Sequence, residues 1–296
     1  MKRKAFDLTF LILISISLQV LMFEIWGRFS PDDKPNVFES INGEHFDPAL
    51  LRIRTVSRFT KYCDSLYGHS DIAPADSGKY ASIVSRVLRD RFYHGYSYYR
   101  LGENSLAYLF APFFNWKLSA IVIPNDILKR PNAACSQQSI VGMEVFRSKG
   151  FSVRSVTFFA DGYGGHFCFE ANYSNKWHFF DPDMEPKLSL MIANGFPSGY
   201  ELVQNDSLLR KLYFRDDKEY IEKLFASYSY GPINKFPAPK ARVYQYITKY
   251  LTYSLWLWFS LIYFMISRKL VFTRKQEICA ELQDSLVPEI RAQQTI

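Results

Sequence analysis

Cofactor-binding motifs are what this sequence lacks. Its four cysteines and five histidines form no CxxC pair and no spaced Cys/His set of the zinc-ligating kind. No glycine-rich loop is present to cradle phosphates, so neither metal nor nucleotide cofactors are implied. A central basic stripe is missing as well. The net charge of +7 could suggest a nucleic-acid partner, but Lys2, Arg3, Lys4, Arg268, Lys269, Arg274 and Lys275 flank two apolar runs, which argues against one. Polar groups are sparse within those runs, giving little support to a transporter or channel.

What is present is a globular middle between two apolar ends. Leu8 to Trp26 approaches the ~20 residues a spanning helix needs and follows a basic start, but no small-x-small cleavage pair follows it, which favours an uncleaved signal anchor. A second span is expected over roughly Val243 to Ile266, with Tyr244, Tyr246, Tyr250, Trp256 and Trp258 as interface anchors. The expected organisation is an anchor at 1–27, a domain at 28–240, a span at 241–268 and a polar tail at 269–296. Basic residues outside the spans place both termini in the cytoplasm and the domain in a periplasm or lumen. In such a compartment Cys63 and Cys168 could form a disulfide, whereas Cys279 faces the cytoplasm.

The stretch from Ala133 to Asp183 carries the chemistry. Ala134, Gln138, Val141 and Val145 recur at helical spacing up to Gly150, with Asn132 as a candidate cap, so Cys135 falls in the first turn. There the unpaired N–H groups and the positive dipole end favour a thiolate. Alternation over Val153 to Phe159 predicts a strand. His166, Cys168 and Glu170 share one face of the next strand, and Ser174-Asn175-Lys176 reads as a hairpin turn into Trp177 to Phe180. That hairpin can bring an imidazole at the start of one strand beside Asp181 at the end of its partner. Cys135, His166 and Asp181 are thus candidates for a nucleophile, a proton carrier and an orienting carboxylate. His178, Asp183 and Glu185 are their nearest substitutes, and nothing near His69 or His94 in sequence completes a triad or a metal set.

This pattern resembles the core of the transglutaminase-like superfamily of papain-related folds. Cys135 opens the helix. Lys149-Gly150-Phe151-Ser152-Val153-Arg154 leads into a strand, followed by Gly165-His166-Phe167-Cys168-Phe169-Glu170 and Trp177-His178-Phe179-Phe180-Asp181-Pro182. Ala133 stands where the family commonly has glycine, and Cys168 where it often has tryptophan. The resemblance implies an α+β fold of helices on an antiparallel sheet, flanked here by two membrane helices. It also implies a Cys135-His166-Asp181 triad working through a thioester on a peptide or protein amide, as a peptidase or amidase in preference to a crosslinker, with no cofactor. The alternative it leaves open is an inactive binding module among envelope protein partners. The second oxyanion donor such a site requires could be Gln137, Gln138 or Trp116, and a lid over Cys135 would hinge at Tyr163-Gly164-Gly165.

Elsewhere, Asp47-Pro48 opens a helix continuing through Phe59, another runs over Ser77 to Phe92, Trp116 to Pro124 forms a short strand, and Asp206 to Tyr228 is one charged helix.

Overall fold

Alternating apolar residues in the middle of the chain build a four-stranded antiparallel sheet. Its strands are β1 (Ser152–Ala160), β2 (Gly164–Tyr173), β3 (Lys176–Phe180) and β4 (Tyr228–Tyr230), in the order β3-β2-β1-β4. The computed structural model describes residues 2–29, 45–72, 76–160, 164–214 and 216–293. The expected juxtamembrane linker, except Phe29, and the proposed hinge residue Tyr163 lie outside them. The β2–β3 turn is a two-residue loop with Ser174 and Asn175 at φ 50° and 59°, the backbone twist that matches two right-twisted strands. It sets a register in which Phe169 faces Phe180 and Glu170 faces Phe179, so the residue after β3 is delivered to the His166 end of β2.

The helices in chain order are α1 (Lys2–Phe29), α2 (Val56–Tyr67), α3 (Ser77–Arg91), α4 (Ser105–Phe114), α5 (Pro124–Ile127), α6 (Cys135–Ser148), α7 (Leu188–Ala193), α8 (Gly199–Val203), α9 (Asp206–Leu212), α10 (Lys218–Phe225) and α11 (Pro239–Gln293). Helix α6 packs on β1 and β2. The close approach needs Gly142, where a Cβ would lie 2.6 Å from the Phe169 ring and 2.9 Å from Leu88. Beneath it Phe146, Phe169 and Phe180 form a ring cluster with centroids 5.0–5.7 Å apart. The chain is thus α+β, with its core between the sheet and α2, α3 and α6.

Several local expectations are corrected by capping. The segment after Asp47 is a 3-10 turn, Pro48–Arg52, and α2 starts afresh where Thr55 Oγ1 accepts from the Arg58 N–H at 3.2 Å. Trp116 to Pro124 is not a strand. The Asn115 side chain accepts from the Lys117 N–H and starts the 3-10 turn Trp116–Ser119, leaving only Ala120 bridged to Tyr98. Nor is Asp206 to Tyr228 one helix. Asn205 caps α9 and Asp217 caps α10, each through its side-chain oxygen, and Tyr228 joins the sheet. Such oxygens outcompete helix continuation because they satisfy N–H groups that otherwise have no acceptor.

Helices α1 and α11 are each long and apolar enough to cross a membrane, over Arg3–Gly27 and Pro239–Cys279. They pack side by side, with Tyr263 donating to Asp7 at 3.1 Å and Tyr253 to Glu24 at 3.2 Å. Their domain ends are seated firmly. Glu24 accepts from the Ser105 N–H at 3.1 Å, and a side chain at Gly27 would overlap the Gly102 carbonyl. On α11, the Gln245 amide donates to Leu118 O and Ala120 O and accepts from Val122 N, while Lys249 pairs with Asp126 at 2.8 Å. The first turns of α11 therefore belong with the domain as much as with the span.

Candidate active site

The path into α6 is built from buried polar groups. Arg91, fully buried, donates to the carbonyls of Arg130 (2.9 Å), Leu128 and Ile53. Residues 93–98 run beside the entry segment: Tyr93 N–H donates to Pro131 O and Ala133 N–H to Tyr93 O, both at 2.9 Å. Asn132 does not cap the helix; its amide donates to His94 O at 3.0 Å, and the cap position is Ala134. Gln137 stands in for a capping side chain. Its oxygen accepts from Ala134 N and Ser97 N, and its nitrogen donates to Ser97 O and Ile121 O. These bonds hold the first turn of α6, with Cys135 at its first residue, and use up the Gln137 amide. Gln138 is committed as well, donating to Ala133 O (2.9 Å) and Asp183 (3.1 Å). The N–H groups of Gln137 and Gln138 already donate to Ala134 O at 2.8 and 2.9 Å, so those of Cys135 and Ser136 are the ones that precede the first backbone bonds of α6, at the helix end that favours an anion.

His166 and Asp181 meet as the hairpin predicts. Nε2 of His166 lies 2.8 Å from Asp181 Oδ2, with both side chains buried, which leaves Nδ1 for sulfur. The Cys135 sulfur, a His166 ring nitrogen and an Asp183 carboxylate oxygen all lie within 4.8 Å of one another. Asp181 is itself fixed: Oδ2 also accepts from the Tyr213 hydroxyl at 2.9 Å, and Oδ1 from the N–H groups of Asp183 (3.2 Å) and Met184 (3.1 Å). Burial opposes charge on the imidazole, but the Asp181 carboxylate outweighs it and holds His166 well above its ordinary value. Burial likewise opposes charge on Asp181, and the imidazolium with the three other donors outweighs it, holding the carboxyl below the usual carboxylate range. Both shifts favour the charged forms, an imidazolium beside a carboxylate.

Two thiols approach this imidazole. Cys168, on β2 two residues from His166, is fully buried, and burial pushes its thiol well up, keeping it protonated. Cys135 is partly exposed, so it alone combines access with the imidazole. Cys63 and Cys168 are both free thiols rather than a disulfide.

The substitutes separate clearly. His178 is bound to backbone, with Nδ1 at 2.8–2.9 Å from Phe196 O and Gly195 O and Nε2 at 3.2 Å from Tyr173 O, and it stacks on Tyr173 at 3.6 Å. Glu185 accepts from the His45 N–H at 3.4 Å. Glu170, which shares the His166 face of β2 but is not among the substitutes, is a structural partner: Arg154 donates to it at 2.6 and 2.7 Å and Gly199 N–H at 2.7 Å. The Arg154 guanidinium is sandwiched by Trp177 and Tyr230, 4.3 and 3.6 Å from their centroids.

Asp183 stands closer to the centre than its rank as a substitute implies. Besides facing Cys135, its Oδ1 lies 2.7 Å from His94 Nδ1. Sequence reasoning left His94 without a partner because the pairing spans 89 positions and is made by irregular segments. Tyr96, whose hydroxyl is set near Cys135 and Ser136, and Tyr213 were also missed as site residues. In sequence Tyr213 reads as one apolar position of a helix. Comparison with family models, with curated proteins and with solved structures finds no match to this chain.

Proposed function

We propose that the chain is a membrane-anchored, transglutaminase-like cysteine enzyme that cleaves an amide bond, with Cys135 as nucleophile, His166 as proton carrier and Asp181 as its orienter. The observation that carries this reading is the His166–Asp181 pair set beside an accessible thiol at a helix start. The sulfur attacks the substrate carbonyl as the thiolate, and the N–H groups opening α6 take the developing oxyanion. The His166 imidazolium then gives its proton to the departing amine, leaving a thioester on Cys135. Water, deprotonated by the now neutral imidazole, attacks that thioester and releases a carboxylic acid, and the proton returns to the site. Asp181 keeps Nε2 occupied so that Nδ1 serves the sulfur throughout, and Tyr213 holds Asp181 in turn.

A peptide or protein amide is the substrate class, and hydrolysis is favoured over transfer to an amine. Basic residues beyond both spans favour cytoplasmic termini, so the domain works on the periplasmic or luminal side. Native labelling tests the assignment of the nucleophile. Limiting iodoacetamide is expected to modify Cys135 within the domain, with Cys63 and Cys168 labelled only after denaturation, as read by peptide mass mapping. Labelling of Cys168 ahead of Cys135 in the folded chain contradicts it.

A further inference from the structure

The groups around Cys135 have a second chemical competence that no sequence motif announces, because they come from three separate elements. Cys135 opens α6, His166 is on β2, and Asp183 follows β3. Their sulfur, nitrogen and oxygen atoms lie within 4.8 Å of one another. In tetrahedral zinc, with bonds of about 2.0–2.3 Å, ligand atoms stand about 3.4–3.8 Å apart, so closure needs movements of about 1 Å.

The surroundings fit metal ligation better than the distances alone. A metal-bound imidazole characteristically has its other nitrogen on a carboxylate, and a ligating carboxylate is itself hydrogen-bonded. Here His166 has Nε2 on Asp181, and Asp183 Oδ1 is held by His94 Nδ1 and the Gln138 amide. A thiolate, a carboxylate and a neutral imidazole together carry two negative charges, which a divalent cation cancels. Cys135 and His94 are partly exposed, so solvent reaches the cluster. The neighbouring set of His166, Cys168 and Asp181 also clusters. It is fully buried, and Asp181 already has four donors.

We propose that Cys135, His166 and Asp183 form a binding site for a thiophilic divalent metal of the zinc class, and that occupancy switches the thiol off. Binding forms a sulfur–metal and a nitrogen–metal bond and releases to solvent the one proton held between Cys135 and His166 Nδ1, with no redox change. The site itself rests on geometry alone; only the switching rests on the cysteine-enzyme reading.

The test uses the tag-free full chain in detergent with Co²⁺ as probe. One equivalent is expected to give a sulfur-to-cobalt charge-transfer band with tetrahedral visible bands, both displaced by Zn²⁺. Cys135→Ser is expected to remove the charge-transfer band, and Cys168→Ser to retain it. His94→Ala is expected to weaken affinity about 10- to 100-fold by loosening Asp183. Asp183→Asn provides a second ligand variant, and thermal melts establish that each variant is folded. Absence of a band at stoichiometric Co²⁺, or a band surviving Cys135→Ser, overturns the site. If the band is present while metal-free Cys135 reacts as an ordinary thiol whatever residue stands at 166, the metal site stands and the enzyme reading falls. If the thiol is activated but Zn²⁺ does not protect it from iodoacetamide, the switch is overturned.

Discussion

Arg154→Ala is expected to destabilise the domain by about 3–5 kcal/mol, the cost typical of removing one partner from a buried ion pair. The size follows from what remains behind. Glu170 is fully buried, and without the guanidinium its carboxylate retains the Gly199 N–H, 2.7 Å away, but no counter-charge. The substitution also removes the cation lying between Trp177 and Tyr230, so β3 and β4 lose their shared contact across the sheet. Chemical denaturation of the variant measures this directly. A loss below about 1 kcal/mol would mean that the pair is not what ties the hairpin to β4. Because α6 packs on the same strands, partial loss of the sheet should displace His166 relative to Cys135 as well.

Asp181→Asn is expected to lower the melting temperature most in a defined pH interval. His166 is held above its ordinary 6.5. Its contribution to stability is therefore complete below about pH 6.5 and is lost as pH rises through the folded-state value. Asp181 is held below 3.8, so its contribution is complete above about pH 3.8 and is lost as pH falls through its folded-state value. Both are present together between those two ordinary values, and the gap between wild type and Asp181→Asn should be widest there, on the order of 3 kcal/mol for a broken buried pair. It should narrow on either side. A gap that keeps widening from pH 6.5 to pH 9 would mean that His166 is not the charged partner of Asp181. Melting curves in detergent across pH provide the comparison.

How far these features could be read from sequence depended on how local they were. The hairpin from His166 to Asp181 was legible because strand alternation, a two-residue turn and the aspartate all fall within a few residues of one another, and the turn sets the register. Cys135 at a helix start was legible for the same reason, although the capping work is done by Gln137 and not by Asn132. His94 was not legible. It reaches Asp183 through paired irregular segments at Tyr93 and Ala133, which leave no periodic signature. Tyr213 was hidden because a tyrosine at an apolar helix position looks the same whether its hydroxyl meets water or a buried carboxylate. The one helix expected over Asp206 to Tyr228 failed at Asp217, a cap whose side chain accepts from the Tyr220 N–H at 2.9 Å. Weighing caps above apolar spacing would have split it. Gln245 and Lys249 fall inside the span expected over Val243 to Ile266, yet their side chains anchor α11 on the domain.

The central claim is that His166 activates Cys135. It is tested most directly by the pH profile of iodoacetamide alkylation at Cys135 in the full chain, comparing wild type with His166→Ala. An unassisted thiol reacts in proportion to its thiolate fraction and slows tenfold per unit below its ordinary value of about 8.5. The account predicts that wild-type Cys135 still reacts at pH 6, at least about tenfold faster than in His166→Ala, which should follow the ordinary thiol curve. Superimposable profiles for the two proteins would contradict it.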